Sequence, residues 1–251
     1  TLSSSSAASD VYKRQPEALV QKLPRPINKA DTETLMKTVD LVVATGSQNN
    51  IRSAYSSGTP AVGVGAGNVS VIVDETADLN EAAQKIIASK IFDNATSCSS
   101  ENSAVVLTSV YDALVSALES QGAKLLTVDE QEKLQQLMWP EGNLNSAVIA
   151  RPAHQIAEMA EIDCSAMSDV KVLLVQESQA GSAHPFSGEK LCPVLTLYRA
   201  EDFDGALAQV AEIYAYQGAG HSVGIHTADD LSLIHISEPT RPERIGVAGG
   251  G

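Results

Sequence analysis

The sequence predicts an α/β fold with a largely parallel sheet. Short apolar runs rich in β-branched residues, typical of buried strands, alternate with segments whose apolar residues recur at helical spacing. The chain has 251 residues, of which 43% are hydrophobic, so it can bury a sizeable core. We therefore expect a globular protein in which helices cover a sheet of parallel strands.

The elements follow from local signals along the chain. The first strand, 40–45, is an apolar run that Gly46 and Ser47 connect to a helix near 50–57. The turn residues at 58–60 then lead into strand 61–64. Asp78, followed three residues later by Glu81, is typical of the capping pair that begins a helix, here over 79–87. The other predicted strands are 69–73, 103–107, 170–175, 193–198 and 222–226, and the other predicted helices are 111–121, 129–138 and 203–216.

Composition and charge exclude several classes of function. The net charge of −14, without a basic cluster, opposes nonspecific binding to nucleic acid or to an anionic membrane. No apolar run reaches the length of a membrane span. Three cysteines without framework spacing indicate a reducing compartment, and we expect the cytoplasm. Because His154, His184 and His226 lack metal-ligand spacing, no metal site is predicted.

Both ends of the chain are expected to be translated sequencing-adapter DNA. The peptide DVYKRQ at 10–15 can be encoded by GATGTGTATAAGAGACAG, and the reverse complement of that string encodes LSLIHI, found at 231–236. One DNA segment read in opposite directions therefore accounts for both ends. We expect residues 1–15 and 231–251 to be non-native and the natural chain to run from 16 to 230.

The strongest candidate for chemistry is Cys98, in the run IFDNATSCSSENS at 91–103. It lies between a predicted helix and a predicted strand, where free backbone N–H groups could point at a reacting oxygen. A free cysteine is more often a small core residue, but the hydroxyl and amide side chains around Cys98 argue against burial. Cys164 and Cys192 lack such a setting, and we expect both to be core residues.

Two glycine-containing segments are candidates for binding and for close packing. Thr45, Gly46 and Ser47 precede a predicted helix, whose free N–H groups could hold a cofactor pyrophosphate or ribose, although such turns are often only structural. The segment GVGAGN at 63–68 lacks the G-x-G-x-x-G spacing and is followed by a strand rather than a helix. We therefore predict that this segment makes a close backbone approach beside the active site.

Four blocks in order resemble the CoA-acylating branch of the aldehyde dehydrogenase superfamily. They are VVATGS at 42–47, YSSGTPAVGVGAGN at 55–68, FDNATSC at 92–98 and EKLCPV at 189–194. The resemblance covers about residues 33–230 and implies the end of a Rossmann-type cofactor domain at 16–63 and an α/β catalytic domain at 64–230, truncated at both ends. FDNATSCSSENS and YQGAGHSVGIHT are most similar to acylating sulfoacetaldehyde dehydrogenases; succinate-semialdehyde and acetaldehyde members are alternatives.

The resemblance implies roles for individual residues. Cys98 forms a thioacyl intermediate while NAD or NADP accepts the hydride, and coenzyme A then removes the acyl group. Glu189 holds the nicotinamide ribose, with Thr45, Gly46 and Ser47 on the cofactor side. His221 assists deprotonation of CoA or orients the substrate, although a histidine at a strand entry is as often structural.

The absence of a base distinguishes acylating from hydrolytic members of this superfamily. Hydrolytic members carry a glutamate in E-L-G-G-K, and its counterpart here is Val64. Without that carboxylate, water is poorly activated, whereas the thiol of CoA remains an effective nucleophile. The alternative is that Glu101 or Glu189 serves as the base.

Other classes of function also remain open from the sequence. A cysteine hydrolase would release acid without a nicotinamide cofactor, and a noncatalytic binding protein would tolerate loss of Cys98. The expected partners of an acylating dehydrogenase are a small aldehyde and CoA, and the resemblance implies a homo-oligomer.

Overall fold

A computed structural model describes residues 19–46, 48–165, 169–219 and 221–229. The chain divides into two compact units, the first ending at Gly65 and the second beginning at Ala66. This division falls two residues after the domain boundary predicted from the sequence. Each unit has its own parallel strands.

The described residues of the first unit form two helices and a two-stranded sheet. Its elements are α1 (Lys29–Thr38), β1 (Val42–Thr45), α2 (Gln48–Tyr55) and β2 (Ala61–Val64), and β1 pairs with β2 in parallel. A small core buries four apolar side chains: Val42, Ala44, Ile51 and Ala54. Helix α1 was not predicted, because its apolar periodicity is weak. Asn28 nevertheless begins it with a reciprocal capping box to Asp31.

The second unit is built on a six-stranded parallel sheet. Its strands are β3 (Val69–Val73), β4 (Glu101–Leu107), β5 (Ala123–Leu125), β6 (Val172–Gln176), β7 (Val194–Ala200) and β8 (Val223–His226). They lie in the order β5-β6-β7-β4-β3-β8, and every neighbouring pair is parallel. The α/β fold with parallel sheet that the sequence predicts is therefore confirmed.

Helices cover both faces of this sheet, as a parallel sheet requires. The helices are α3 (Leu79–Ile91), α4 (Tyr111–Ser120), α5 (Val128–Met138), α6 (Ala153–Met159) and α7 (Phe203–Tyr216). Helices α3 and α4 pack on one face against Val71, Val73 and Leu195. On the other face, α7 packs against Ile72 and Tyr198, and α5 and α6 share a core with β6 and β7. Alternate residues of each strand thus enter opposite cores.

Local signals explain where α3 begins. Asp78 accepts hydrogen bonds from the N–H groups of Asn80 and Glu81, so it is the predicted N-cap. The predicted return contact from the Glu81 side chain is not observed, because Glu81 pairs with Lys85 at 2.7 Å, one turn along the helix. Helix α6 and strand β5 were not predicted, since both are short and neither has a complete periodic pattern.

Within the described ranges, no helix combines the length and apolar character needed to cross a bilayer.

Candidate active site at the amino edge of the sheet

The predicted site residues of the second unit, together with Asn68, lie on loops that enter neighbouring strands. Asn68 precedes β3, Cys98 precedes β4, Glu189 precedes β7 and His221 precedes β8. Because β7, β4, β3 and β8 are adjacent and parallel, their amino ends meet at one edge of the sheet. The strand order therefore gathers residues from four distant segments at this edge.

Cys98 lies on a short, exposed connection between α3 and β4. A 3₁₀ turn, Phe92–Ala95, follows α3, and three consecutive residues of that turn, Asp93, Asn94 and Ala95, have positive φ angles of 49°, 49° and 60°. Cys98 itself is exposed, as predicted from its polar neighbours. No protein acceptor in the described ranges receives the Cys98 N–H, which leaves this donor available to a bound oxygen atom.

Gly67 joins the Cys98 loop to the segment that carries Glu189. A Cβ at position 67 would lie 2.6 Å from the Cys98 carbonyl oxygen and 3.2 Å from its Cβ, so only glycine allows this contact. The close backbone approach predicted for 63–68 is therefore confirmed at Gly67. The Gly67 N–H also interacts with the Glu189 carboxylate, where it favours the charged form. Cys98 and Glu189 thus contact the same glycine.

The side chain of Glu189 is half-buried beside Gly67. Burial raises the pKa of this carboxyl group, and the Gly67 N–H and the charge of Lys190 oppose that rise. Its own backbone N–H donates to Gln217 Oε1 at 3.0 Å. A carboxylate can accept more hydrogen bonds than one N–H supplies, so Glu189 could also receive the hydroxyl groups of a ribose.

Asn68 is a central residue of this edge that the sequence analysis did not identify. Its side chain is buried, and its Nδ2 donates to the carbonyl oxygens of Ser187, at 2.8 Å, and Gln217, at 3.2 Å. The backbone of Gly218 packs directly against it, since a Cβ there would lie 2.4 Å from the Asn68 Cβ. A polar residue directly before a strand of mostly apolar residues was the available signal.

His221 lies at the same edge but makes only local contacts. Its N–H donates to the Gly218 carbonyl oxygen at 3.1 Å, and its Nδ1 lies 3.0 Å from Ser222 Oγ. The contacts of the described residues do not join His221 to Cys98. The structure therefore brings His221 to the candidate site edge without assigning it a partner there.

Two buried lysines lie behind the Cys98 loop. Lys190 Nζ donates to the carbonyl oxygens of Phe186, at 2.7 Å, and Gly188, at 3.0 Å, and burial lowers its pKa. Burial also lowers the pKa of Lys90 to about 8. Desolvation raises the pKa of the neighbouring, fully buried Cys192 to about 11, so that thiol stays protonated at neutral pH. Cys192 is thus a core residue, as predicted, and Cys164 is partly buried against the same core.

The other predicted cofactor residues belong to the first unit. Thr45 ends β1, and both Thr45 and Gly46 are exposed immediately before α2. Gly46 has a φ angle of +114°, which favours glycine at this strand-to-helix turn. Ser47 lies outside the described residues. Val64, at the position of the absent glutamate, ends β2 and is exposed.

Comparisons with known proteins identify the family. A profile of the aldehyde dehydrogenase family matches residues 15–156, which is more than half of the chain. The chain belongs to the aldehyde dehydrogenase family. A sulfoacetaldehyde dehydrogenase (acylating) from Cupriavidus necator is 50% identical over 230 residues, covering 92% of this chain and 47% of that protein.

Solved structures of aldehyde dehydrogenases share the fold of this chain. An acetylating aldehyde dehydrogenase from Geobacillus thermoglucosidasius matches with a TM-score of 0.86 and 36% identity, over 92% of this chain and 51% of that chain. A propionaldehyde dehydrogenase from Rhodopseudomonas palustris with bound propionyl-CoA matches with a TM-score of 0.73 and 27% identity, over 84% of this chain and 46% of that chain. The chain thus spans about half the length of these aldehyde dehydrogenases.

Proposed function

We propose that the intact protein is a CoA-acylating, NAD(P)-dependent aldehyde dehydrogenase whose nucleophile is Cys98. The observation that carries this proposal is the contact of Gly67 with both Cys98 and Glu189. Through Gly67, the exposed thiol of Cys98 is connected to the carboxylate of Glu189, which suits the hydroxyl groups of a ribose. Relatives named as acylating or acetylating dehydrogenases support the same activity.

The residues of this chain fit a nicotinamide cofactor. Glu189 is half-buried and keeps acceptor capacity beyond its interaction with Gly67, which suits ribose hydroxyl groups. In the first unit, the exposed turn at Thr45 and Gly46 precedes α2, whose free N–H groups favour an anionic group. Ser47 is proposed, from the sequence alone, to bind the cofactor with them. A bound nicotinamide supplies the hydride acceptor of the oxidation.

Cys98 carries the covalent chemistry in this proposal. Its thiolate attacks the aldehyde carbon and forms a carbon–sulfur bond, and the Cys98 N–H donates to the developing oxyanion. After loss of the hydride, Cys98 carries the acyl group as a thioester. The sulfur of CoA then attacks the thioester carbonyl, the bond to Cys98 breaks, and the Cys98 thiolate is regenerated. His221 is proposed to assist deprotonation of CoA or to orient the substrate.

Transfer to CoA rather than to water follows from the absence of a base at Val64. Of the two alternative bases, Glu189 interacts with the Gly67 N–H and is assigned here to the ribose. Glu101 begins β4, and its Oε2 is buried without a hydrogen-bond partner among the described residues. The Glu101 Oε2 is therefore not open to a substrate water, and Glu189 is occupied by the ribose in this proposal.

Sulfoacetaldehyde is the proposed substrate. The 50% identity to the acylating sulfoacetaldehyde dehydrogenase of Cupriavidus necator supports this choice, because the matched region of 230 residues spans the loop around Cys98. Arg52, exposed in the last turn of α2, is the nearest basic residue in sequence that could hold the sulfonate, although a solvated helix face is the more usual role for such an arginine. Succinate semialdehyde and acetaldehyde are the competing substrates.

Three further features of the intact protein are proposed on the same basis. Residues 16–63 belong to a cofactor domain and residues 64–230 to a catalytic domain. The protein is cytoplasmic and homo-oligomeric. Light scattering of the full-length gene product measures the oligomeric state directly.

The test follows NAD(P)H absorbance in the full-length gene product with sulfoacetaldehyde, succinate semialdehyde and acetaldehyde, each with and without CoA. We expect CoA-dependent reduction, fastest with sulfoacetaldehyde, and a loss of at least about 10³-fold in Cys98→Ala. Equal rates without CoA would indicate a hydrolytic dehydrogenase. Acid release without a nicotinamide would indicate a cysteine hydrolase, and unchanged ligand binding in Cys98→Ala without any turnover would indicate a binding protein.

A further inference from the structure

We propose that Asn94 and Asn102 are positioning residues that clamp the Cys98 loop to the segment carrying Glu189. This inference rests on the proposed function, in which Cys98 carries the substrate and Glu189 holds the ribose. Each asparagine lies four residues from Cys98, one before it and one after it. The Asn102 amide connects the loop directly to the backbone of Lys190, and the Asn94 amide connects it to Leu191 through Ala150.

The connection after Cys98 is direct. Asn102 Oδ1 accepts the backbone N–H of Lys190 at 3.1 Å, although the two residues are 88 positions apart in sequence. Asn102 is 4% exposed, so water does not compete strongly for this hydrogen bond. The bonded N–H belongs to the residue next to Glu189. Asn102 therefore fixes the start of β4 relative to the carboxylate-bearing segment.

The connection before Cys98 passes through one intervening residue. Asn94 Nδ2 donates to the Ala150 carbonyl oxygen at 3.0 Å. The Ala150 N–H in turn donates to the Leu191 carbonyl oxygen at 3.0 Å. This chain of two hydrogen bonds joins the 3₁₀ turn before Cys98 to the residue two positions after Glu189.

The backbone conformations along this connection are unusual. Asn94, Ala150 and Leu191 have φ angles of 49°, 60° and 51°, a region that non-glycine residues rarely adopt. Such conformations persist where surrounding contacts hold them, and they are concentrated at functional sites. Here the hydrogen bonds of the clamp run from one of these residues to the next.

The clamp matters because hydride transfer depends on the position of the Cys98 adduct relative to the nicotinamide. A misplacement of about 1 Å can lower a rate by about 100-fold without changing the reacting groups. Gly67 supplies only one point of contact between the Cys98 loop and its surroundings. The two asparagine connections restrain the loop at both ends, which fixes its orientation as well as its distance.

In their contacts within the clamp the two asparagines use opposite ends of the amide, and the Asn102 Nδ2 makes only a long local bond of 3.4 Å to the Ser100 carbonyl oxygen, so aspartate substitutions separate their roles. Asn102 accepts a hydrogen bond, and Asn102→Asp keeps an acceptor oxygen. Asn94 donates one, and Asn94→Asp removes the donor. We expect Asn102→Ala, Asn94→Ala and Asn94→Asp to lower kcat by about 10- to 100-fold. We expect Asn102→Asp to retain most of kcat, and KM for NAD(P) to change less than about threefold in all four variants.

The matched control is Gln131→Ala. The Gln131 side chain also joins two segments with two hydrogen bonds, to the backbone of Gln176 at 3.0 Å and 3.1 Å. Because Gln176 ends β6, this connection lies at the carboxyl edge of the sheet, opposite Cys98. We expect Gln131→Ala to lower the thermal midpoint while leaving kcat unchanged.

The measurements use the full-length gene product with sulfoacetaldehyde and its C1-deuterated form. A clamp variant should show an increased deuterium isotope effect on kcat, together with an unchanged rate of Cys98 alkylation by iodoacetamide, because the thiol is already exposed. Three results would overturn the clamp: kcat within twofold of the parent in both alanine variants, an unchanged isotope effect, or an equal loss of kcat in Gln131→Ala. Cys98→Ser separates the two proposals, since a CoA-dependent rate that survives this substitution refutes the proposed function instead.

Discussion

At the scale of single residues, Glu189 gives the candidate site a pH dependence. Burial raises the pKa of its carboxyl group, whereas the proposed ribose contact needs the charged form as hydrogen-bond acceptor. The charged form is present above the raised pKa and is lost as pH falls through it. Cofactor affinity should therefore begin to fall at a higher pH than an exposed glutamate would cause.

This prediction is tested by measuring KM for NAD(P) from mildly acidic to neutral pH. In the parent protein, KM should rise as pH decreases. Glu189→Gln should raise KM at neutral pH by about 10-fold, because one charge-assisted hydrogen bond is lost. It should also remove the rise in KM at acidic pH. If KM for NAD(P) rose at acidic pH to the same extent in Glu189→Gln, the pH dependence would belong to another group.

At the scale of elements, the loops around the site contain residues in unfavourable conformations. Ala150 is exposed and has a φ angle of 60°, where its Cβ is crowded by the backbone. Ala88 is equally an exposed alanine, but it lies inside helix α3. Glycine at these two positions should therefore have opposite effects on stability.

We expect Ala150→Gly to stabilise the fold by about 0.5 kcal/mol, because relief of the left-handed strain exceeds the added freedom of the unfolded chain. Ala88→Gly should destabilise it by about 1 kcal/mol, the usual cost of glycine in an exposed helix position. Thermal midpoints of the two variants test this pair. A midpoint lowered by Ala150→Gly would show that Ala150 is not strained.

Most elements of the second unit could be predicted, because their residues alternate or recur with clear periods. The bounds of α7 match the prediction residue for residue, and β3 does also. The short elements β5 and α6 could not be predicted, since their place in the fold is determined by packing on neighbouring elements. The left-handed turn at 93–95 also could not be predicted, because it contains no glycine to indicate positive φ angles.

The candidate site was predicted less completely than the fold. Cys98 and Glu189 come from motifs, and the glycine-rich segment correctly indicated a close backbone approach. Asn68 and Asn102 were missed, because their partners lie 88 to 149 residues away in sequence and only the strand order brings them together. No local pattern contains that information.

At the scale of the whole molecule, the two units differ in how much core they contain. Among the residues that the structure describes, the core of the first unit has four buried apolar residues, whereas three larger clusters cover both faces of the second unit's sheet. Segments with few buried apolar contacts open more readily than those with many. The first unit should therefore be the less stable of the two.

Limited proteolysis of this chain tests that difference. Cleavage should occur first within the first unit, which ends at Gly65, and should leave a resistant fragment that begins near Ala66. Mass spectrometry of the fragments identifies the sites. Equally rapid cleavage within the strands of the second unit would contradict the predicted order.

All the candidate site residues of the second unit approach the sheet from its amino edge, which leaves the opposite edge free for use. In engineering terms, the turn at 108–110, which follows β4, is an attachment point remote from the proposed chemistry. Ser109 is exposed there and could be replaced by a cysteine for a fluorophore or a surface linker. Under the proposed function, a protein immobilised or labelled at this position would carry the attachment at the edge opposite Cys98 and Glu189.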